Sequence, residues 1–217
     1  MTNTTKRVSY QTSNSYETLN SLTKSTKNIW VTLHGMGFLS RYFLRPFQQL
    51  NSNENYIIAP QAPSKYYLKD EFKYVGASWL TKEDTQAELL NVLSYLDAVF
   101  SNEEFPENKN LILFGFYQGV SIIARYLVKR KLNPSILALY AGGIPHELTK
   151  QDFDHLDYDK TKIKMIYGDQ DHFLTPERLK GEFEKTELLF GGNVDVIKFE
   201  GGHEILPEIL QQLIADN

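Results

Sequence analysis

Four short stretches of this chain carry residues that could do chemistry, and each follows an apolar run: "HGMG" (34 to 37), "GFYQG" (115 to 119), "GDQDHFLTP" (168 to 176) and "GGHE" (201 to 204). Acyl transfer by a side-chain nucleophile needs a histidine to take the nucleophile's proton and an acid to orient that histidine. Tyr117, Asp171 and His203 stand at the nucleophile, acid and base places in chain order. The turn at 115 to 119 is preceded by a strand-like run and followed by a helix-like one, with Gly115 and Gly119 bracketing it. Such a turn suits a small nucleophile such as serine, and here its centre is Tyr117.

Tyrosine is poorly suited to that place. A tight turn of this kind strains its central residue by about 1–3 kcal/mol, tolerable only where the surrounding packing enforces it. Its hydroxyl lies beyond a phenyl ring, away from where serine would hold its oxygen, and a phenol with pKa about 10 is a weak nucleophile at neutral pH. Ser78 and Ser121 lie close to these motifs but are poor substitutes. Ser121 belongs to the helix after the turn and is expected to point away, and Ser78 to shape the pocket.

These residues need a scaffold that gathers loop ends. "NIWVTL" (28 to 33), "YIIAP" (56 to 60), "NLILFG" (110 to 115), "SILALYAG" (135 to 142), "KIKMIYG" (162 to 168) and "VDVIKFEG" (194 to 201) read as buried strands. Helical patterns fall between most of them. One runs over 81 to 100, with Leu89, Leu93, Leu96 and Phe100 on one face and a capping-box spacing from Thr81 to Asp84. Another opens at Thr175-Pro176, an N-cap followed by proline at the first helical position. A helix is expected around "SRYFLRPFQQL", kinked or started by Pro46, and a short edge hairpin near Val8 and Tyr10. Residues 61 to 78 read as a long irregular loop rich in aromatics. The alternation predicts an α/β fold, a mostly parallel central sheet with helices on both faces, in one domain spanning 1 to 217. Ligands of such sheets gather at the C-terminal edge, where all four motifs fall.

Composition narrows the function. At net charge −4, with the run Lys129-Arg130-Lys131 at an expected helix C-terminus, nothing marks a nucleic-acid surface. No apolar run reaches the roughly 20 residues of a membrane span, and the polar N-terminus is no signal peptide, so a cytoplasmic protein is expected. With no cysteine, thiolate catalysis is excluded. His146, His155 and His172 have no ligand spacing, so neither metal nor cofactor is expected, and His34 reads as a support of its own turn. The sequence specifies no oligomeric state.

Taken together, "LHGMG", "APQAP" (59 to 63), "SW" (78 to 79), "GFYQG", "GDQDHFLTP" and "GGH" resemble the carboxylesterase/phospholipase and acyl-protein thioesterase family of α/β-hydrolases, across most of the chain. The resemblance implies a triad in which Asp171 orients His203, and an oxyanion hole of the backbone N–H groups of Met36 and Gln118. Asp171 rather than Asp169 is the acid because "HFLTP" resembles the segment after the family's aspartate. The chain departs from the family where G-F-S-Q-G has become "GFYQG" and where Phe38 follows the HG-x-G turn. It is therefore expected to keep the acid, base and oxyanion framework, to be inactive or impaired as an esterase or thioesterase, and to bind an ester, thioester or acid in its cleft. The alternative is an active ester hydrolase using Tyr117 or a water activated by His203. Phe38 and Trp79, with Tyr42, Tyr66, Tyr67, Phe72 and Tyr74, are expected in the cleft wall or the core.

Overall fold

The computed structural model describes residues 3–215. The apolar runs form a seven-stranded sheet: β1 (Tyr16–Leu19), β2 (Asn28–Leu33), β3 (Asn55–Pro60), β6 (Asn110–Phe116), β7 (Ile136–Tyr140), β8 (Lys162–Gly168) and β9 (Val194–Phe199), in the order β1-β3-β2-β6-β7-β8-β9. β1 pairs antiparallel with β3 and every other pairing is parallel. β2, β3 and β7 are buried along their whole length, as strands covered on both faces must be.

Alternate residues of the strands feed two cores. Val31, Leu113 and Leu137 point to one side, where α2 (Thr85–Asn102), α3 (Gln118–Arg130) and α4 (Pro176–Phe190) pack with Val92, Ile123 and Leu189. Trp30, Phe114 and Ala138 point to the other side, against α1 (Ser40–Phe43), the 3-10 turn Pro46–Gln49 and α5 (Pro207–Ala215). The period of two along each strand thus builds both layers at once.

Several expectations are corrected. Val8 and Tyr10 are exposed and outside any strand, and the edge is the single strand β1, whose Tyr16 lies opposite Pro60. Residues 61 to 78 are not irregular: β4 (Ser64–Tyr67) and β5 (Val75–Ser78) pair as an antiparallel hairpin. Pro46 starts a separate 3-10 turn after a four-residue α1, because proline suits the first helical position and breaks a preceding helix. The capping box from Thr81 to Asp84 does not form. The Asp84 carboxylate pairs with Arg7 at 2.6 Å, and Thr81 instead donates to the Glu88 carboxylate. Thr175 does cap α4, accepting from the Arg178 N–H.

Candidate active site

The loops that leave β2, β6, β7, β8 and β9 converge at the C-terminal edge of the sheet. Tyr117 is the first residue beyond β6 and has φ 52° and ψ −112°, a left-handed conformation that favours glycine. Its neighbours enforce it. The Tyr117 N–H donates to the Tyr140 carbonyl at 2.9 Å, and its carbonyl accepts from Val120. A Cβ on Gly142 would come within 2.2 Å of that carbonyl, and one on Gly119 within 2.0 Å of the Leu33 carbonyl. Both glycines are therefore required by backbone approaching backbone.

Asp171 and His203 meet 2.7 Å apart, His203 Nδ1–H donating to Asp171 Oδ2. The aspartate is buried, and its Oδ1 accepts from the Phe173 N–H at 2.9 Å, which fixes the carboxylate. The two loops are tied together by Gln170 donating to the Gly201 carbonyl and by Gly201 donating to Asp169 Oδ1. Asp169 thus serves the loop scaffold while Asp171 holds the imidazole.

The Tyr117 ring lies between Phe173, 5.3 Å away and inclined 34°, and His203, 4.8 Å away at 84°. Phe116 and Phe173 each place their ring 4.7 Å from the His203 ring. Among the described residues the Tyr117 hydroxyl makes no hydrogen bond, and neither does His203 Nε2. Burial, and next the proximity of Tyr117, raise the pKa of the Tyr66 hydroxyl above that of an ordinary phenol. Phe173 was not singled out from the sequence; the only signal was its place two residues after Asp171.

The loop at 34 to 37 is organised by a buried histidine. His34 Nδ1–H donates to the Gly35 carbonyl at 2.7 Å, and Nε2 accepts from the Ala62 N–H at 3.1 Å. Burial pushes its pKa down to about 4, so the ring is neutral at physiological pH. The peptide is trans, so fixing the Gly35 carbonyl toward His34 turns the Met36 N–H the opposite way. Neither the Met36 N–H nor the Gln118 N–H, the latter at the start of α3, has an acceptor among the described residues.

The Gln118 side chain bridges this region. Its Oε1 accepts from the Trp79 N–H and its Nε2 donates to the Leu80 carbonyl, both at 2.8 Å. The Trp79 indole N–H donates to the His34 carbonyl at 2.8 Å. Trp79 is fully buried, so of the two places expected for it the core holds and the cleft wall does not: its backbone is bonded to Gln118 and its ring lies in the core beside His34. Phe38 does stand at the surface, with its ring 5.8 Å from that of Phe116. Ser78 is buried and accepts from Gln118 Nε2, and the Ser121 hydroxyl accepts from Arg125. A groove of about 880 Å³ runs from Met36, Tyr117 and Gln118 between α3 and α4 to Leu148 and Leu188. Ser121 lines it from α3. A second pocket, of about 640 Å³, is lined by Met36, by Tyr66 of the hairpin and by Leu80 just after it.

A parallel sheet with one antiparallel edge, a positive-φ residue after β6, and an aspartate and histidine beyond β8 and β9 form a recognisable architecture. Solved structures superpose on most of the chain. Acyl-protein thioesterase 2 of Zea mays superposes with a TM-score of 0.68 at 16% identity, covering 93% of this chain and 96% of that one. Esterase PE8 gives 0.65 at 22% identity, with coverage of 94% and 98%. A phospholipase/carboxylesterase from Dyadobacter fermentans gives 0.65 at 20% identity, with coverage of 94% and 96%. The chain has the α/β-hydrolase fold. No family model and no curated protein matches the sequence, so this likeness is one of architecture. In an α/β-hydrolase fold the turn after the strand that becomes β6 here carries the nucleophile. This chain presents an aromatic ring there.

Among the described residues no helix is long and apolar enough to cross a membrane.

Proposed function

We propose that this protein is an esterase- or thioesterase-type α/β-hydrolase scaffold whose acyl-transfer chemistry is disabled at the nucleophile, and whose cleft binds an ester, thioester or carboxylic acid. The observation that carries the reading is the Tyr117 ring, seated between Phe173 and His203 with its hydroxyl making no hydrogen bond among the described residues. In a serine enzyme the imidazole Nε2 is hydrogen-bonded to the hydroxyl it deprotonates. Here the Tyr117 ring meets the imidazole edge-on, and no hydrogen bond joins its hydroxyl to Nε2.

The other parts support retained binding. The Asp171–His203 hydrogen bond holds the imidazole in the tautomer with Nε2 free to accept. The Met36 and Gln118 N–H groups are available to a carbonyl or carboxylate oxygen, the arrangement that stabilises an oxyanion in acyl transfer. The groove beyond them is open and lined by Ile144, Leu148 and Leu188 together with charged residues of α4.

A second reading, hydrolysis by a water that His203 activates, is favoured by the intact Asp171–His203 pair. Turnover of a short-chain aryl ester by the parent, Tyr117→Ser, Tyr117→Ala and His203→Ala forms separates the two. A silent parent with a serine variant well above the alanine variant supports the disabled scaffold. A parent that turns over, and loses that activity on His203→Ala, supports the water mechanism.

A further inference from the structure

The exposed apolar side chains of this protein are unevenly spread. Tyr67, Phe72 and Tyr74 on the β4–β5 hairpin are 55%, 70% and 54% exposed, and Tyr42 just beyond the 34 to 37 loop is 48% exposed. The hairpin and that loop are one structural unit, because Gly37 N–H donates to the Ala77 carbonyl and Ala77 N–H to the Phe38 carbonyl. A two-stranded hairpin with an uncovered aromatic face is marginal in water, which argues for something that covers it.

The charges of the same unit indicate what. Arg41, Arg45, Lys65, Lys69 and Lys73 outnumber Asp70 and Glu71 here by three, in a chain whose net charge is −4. None of these cations forms an ion pair among the described residues. Instead Arg41 and Arg45 lie over the Tyr42 ring at 4.9 Å, and Lys73 over Tyr74 at 5.3 Å. A second copy of the chain packed symmetrically on this face would bring the cations against themselves. Interleaved tyrosines and unpaired cations suit instead the boundary between anionic headgroups and acyl chains, where amphipathic rings sit and each cation adds attraction.

We propose that the hairpin and the Arg41–Arg45 turn form a docking surface for an anionic lipid bilayer. It seats the protein with Met36 and the pocket beside Tyr66 turned toward the membrane. Docking makes no use of Tyr117, so the inference stands apart from the proposed function.

Vesicle co-sedimentation of the full chain tests it, with phosphatidylcholine alone and with phosphatidylcholine containing about one third phosphatidylserine. Binding is expected to the anionic vesicles, to weaken strongly at about 0.5 M salt, and to fall about fivefold for each cation removed in Lys65→Gln, Lys69→Gln and Lys73→Gln. Phe72→Ser with Tyr74→Ser is expected to lower binding at least tenfold while leaving the thermal midpoint unchanged, since both rings are exposed. Failure to bind either vesicle, or equal binding to both that ignores the lysine substitutions, overturns the proposal. So does a self-association, seen by sedimentation velocity without lipid, that the aromatic substitutions abolish while vesicle binding persists. Capture of an acidic peptide by the lysines without any vesicle binding overturns it as well.

Discussion

The Tyr117 ring stands almost perpendicular to the His203 imidazole, with centroids 4.8 Å apart, while His203 remains bonded to Asp171 at 2.7 Å. The imidazole is thus held in place by the carboxylate, and a phenyl ring packs against it from the turn after β6. Tyr117→Ser should clear the ring and put a hydroxyl within the turn. Removing a triad nucleophile from a working hydrolase costs about 10⁶-fold in kcat, so restoring one to a preorganised site is expected to raise aryl-ester turnover by at least about 10²-fold over Tyr117→Ala. His203→Ala in the serine background should erase the gain.

Backbone strain at Tyr117 gives an independent stability prediction. At φ 52° and ψ −112° any side chain is strained, and both glycine and alanine forfeit the aromatic packing. Tyr117→Gly should therefore be more stable than Tyr117→Ala by about 1 kcal/mol, the reverse of the usual order. Urea melts of the two variants measure the difference. An alanine form as stable as the glycine form would mean the turn relaxes once the ring is gone.

His34 should make stability depend on pH. Its folded pKa of about 4 lies below the 6.5 of an unperturbed histidine, so the unfolded chain binds more protons between the two values. The contribution is complete above about pH 6.5 and is lost as pH falls toward 4, amounting to about 3 kcal/mol at the lower limit. Chemical melts at pH 7 and pH 4.5 should show a larger drop for the parent than for His34→Gln. Equal drops would place the ring's titration elsewhere.

Two glycines separate close approach from helix propensity. Gly119→Ala would set a Cβ 2.0 Å from the Leu33 carbonyl, and is expected to cost more than about 4 kcal/mol or prevent folding. Gly181 lies inside α4 with nothing within 4 Å of its added Cβ. Gly181→Ala should stabilise by about 0.5–1 kcal/mol and raise the thermal midpoint by a few degrees. Calorimetry of both variants reads the contrast, and a neutral Gly119→Ala would contradict the described packing of α3 on β2.

What could be read from the chain was what neighbouring residues decide among themselves. The parallel strands of the central sheet were legible because they are short apolar runs, most of them buried. Thr175-Pro176 announced the start of α4 because an N-cap is a contact across three residues. The order of Tyr117, Asp171 and His203 at strand ends followed from the same alternation. Contacts between distant residues were not legible. Thr81 and Asp84 had the spacing of a capping box, but α2 starts only at Thr85, beyond both, and the Asp84 carboxylate pairs with Arg7 instead. The aromatics of 61 to 78 masked a hairpin whose register depends on Gly37 and Phe38 pairing with Ala77. Phe38 and Trp79 carried similar sequence signals, yet one lies at the surface and the other in the core. The difference is made by Gln118, which pins the Trp79 backbone from another element. Likewise the sequence put a tyrosine in the turn after β6, but only the docking of the loops after β6, β8 and β9 decided that its ring rests between Phe173 and His203. Side-chain direction at a loop end is set by what packs against it in space, and that information is not carried by local pattern.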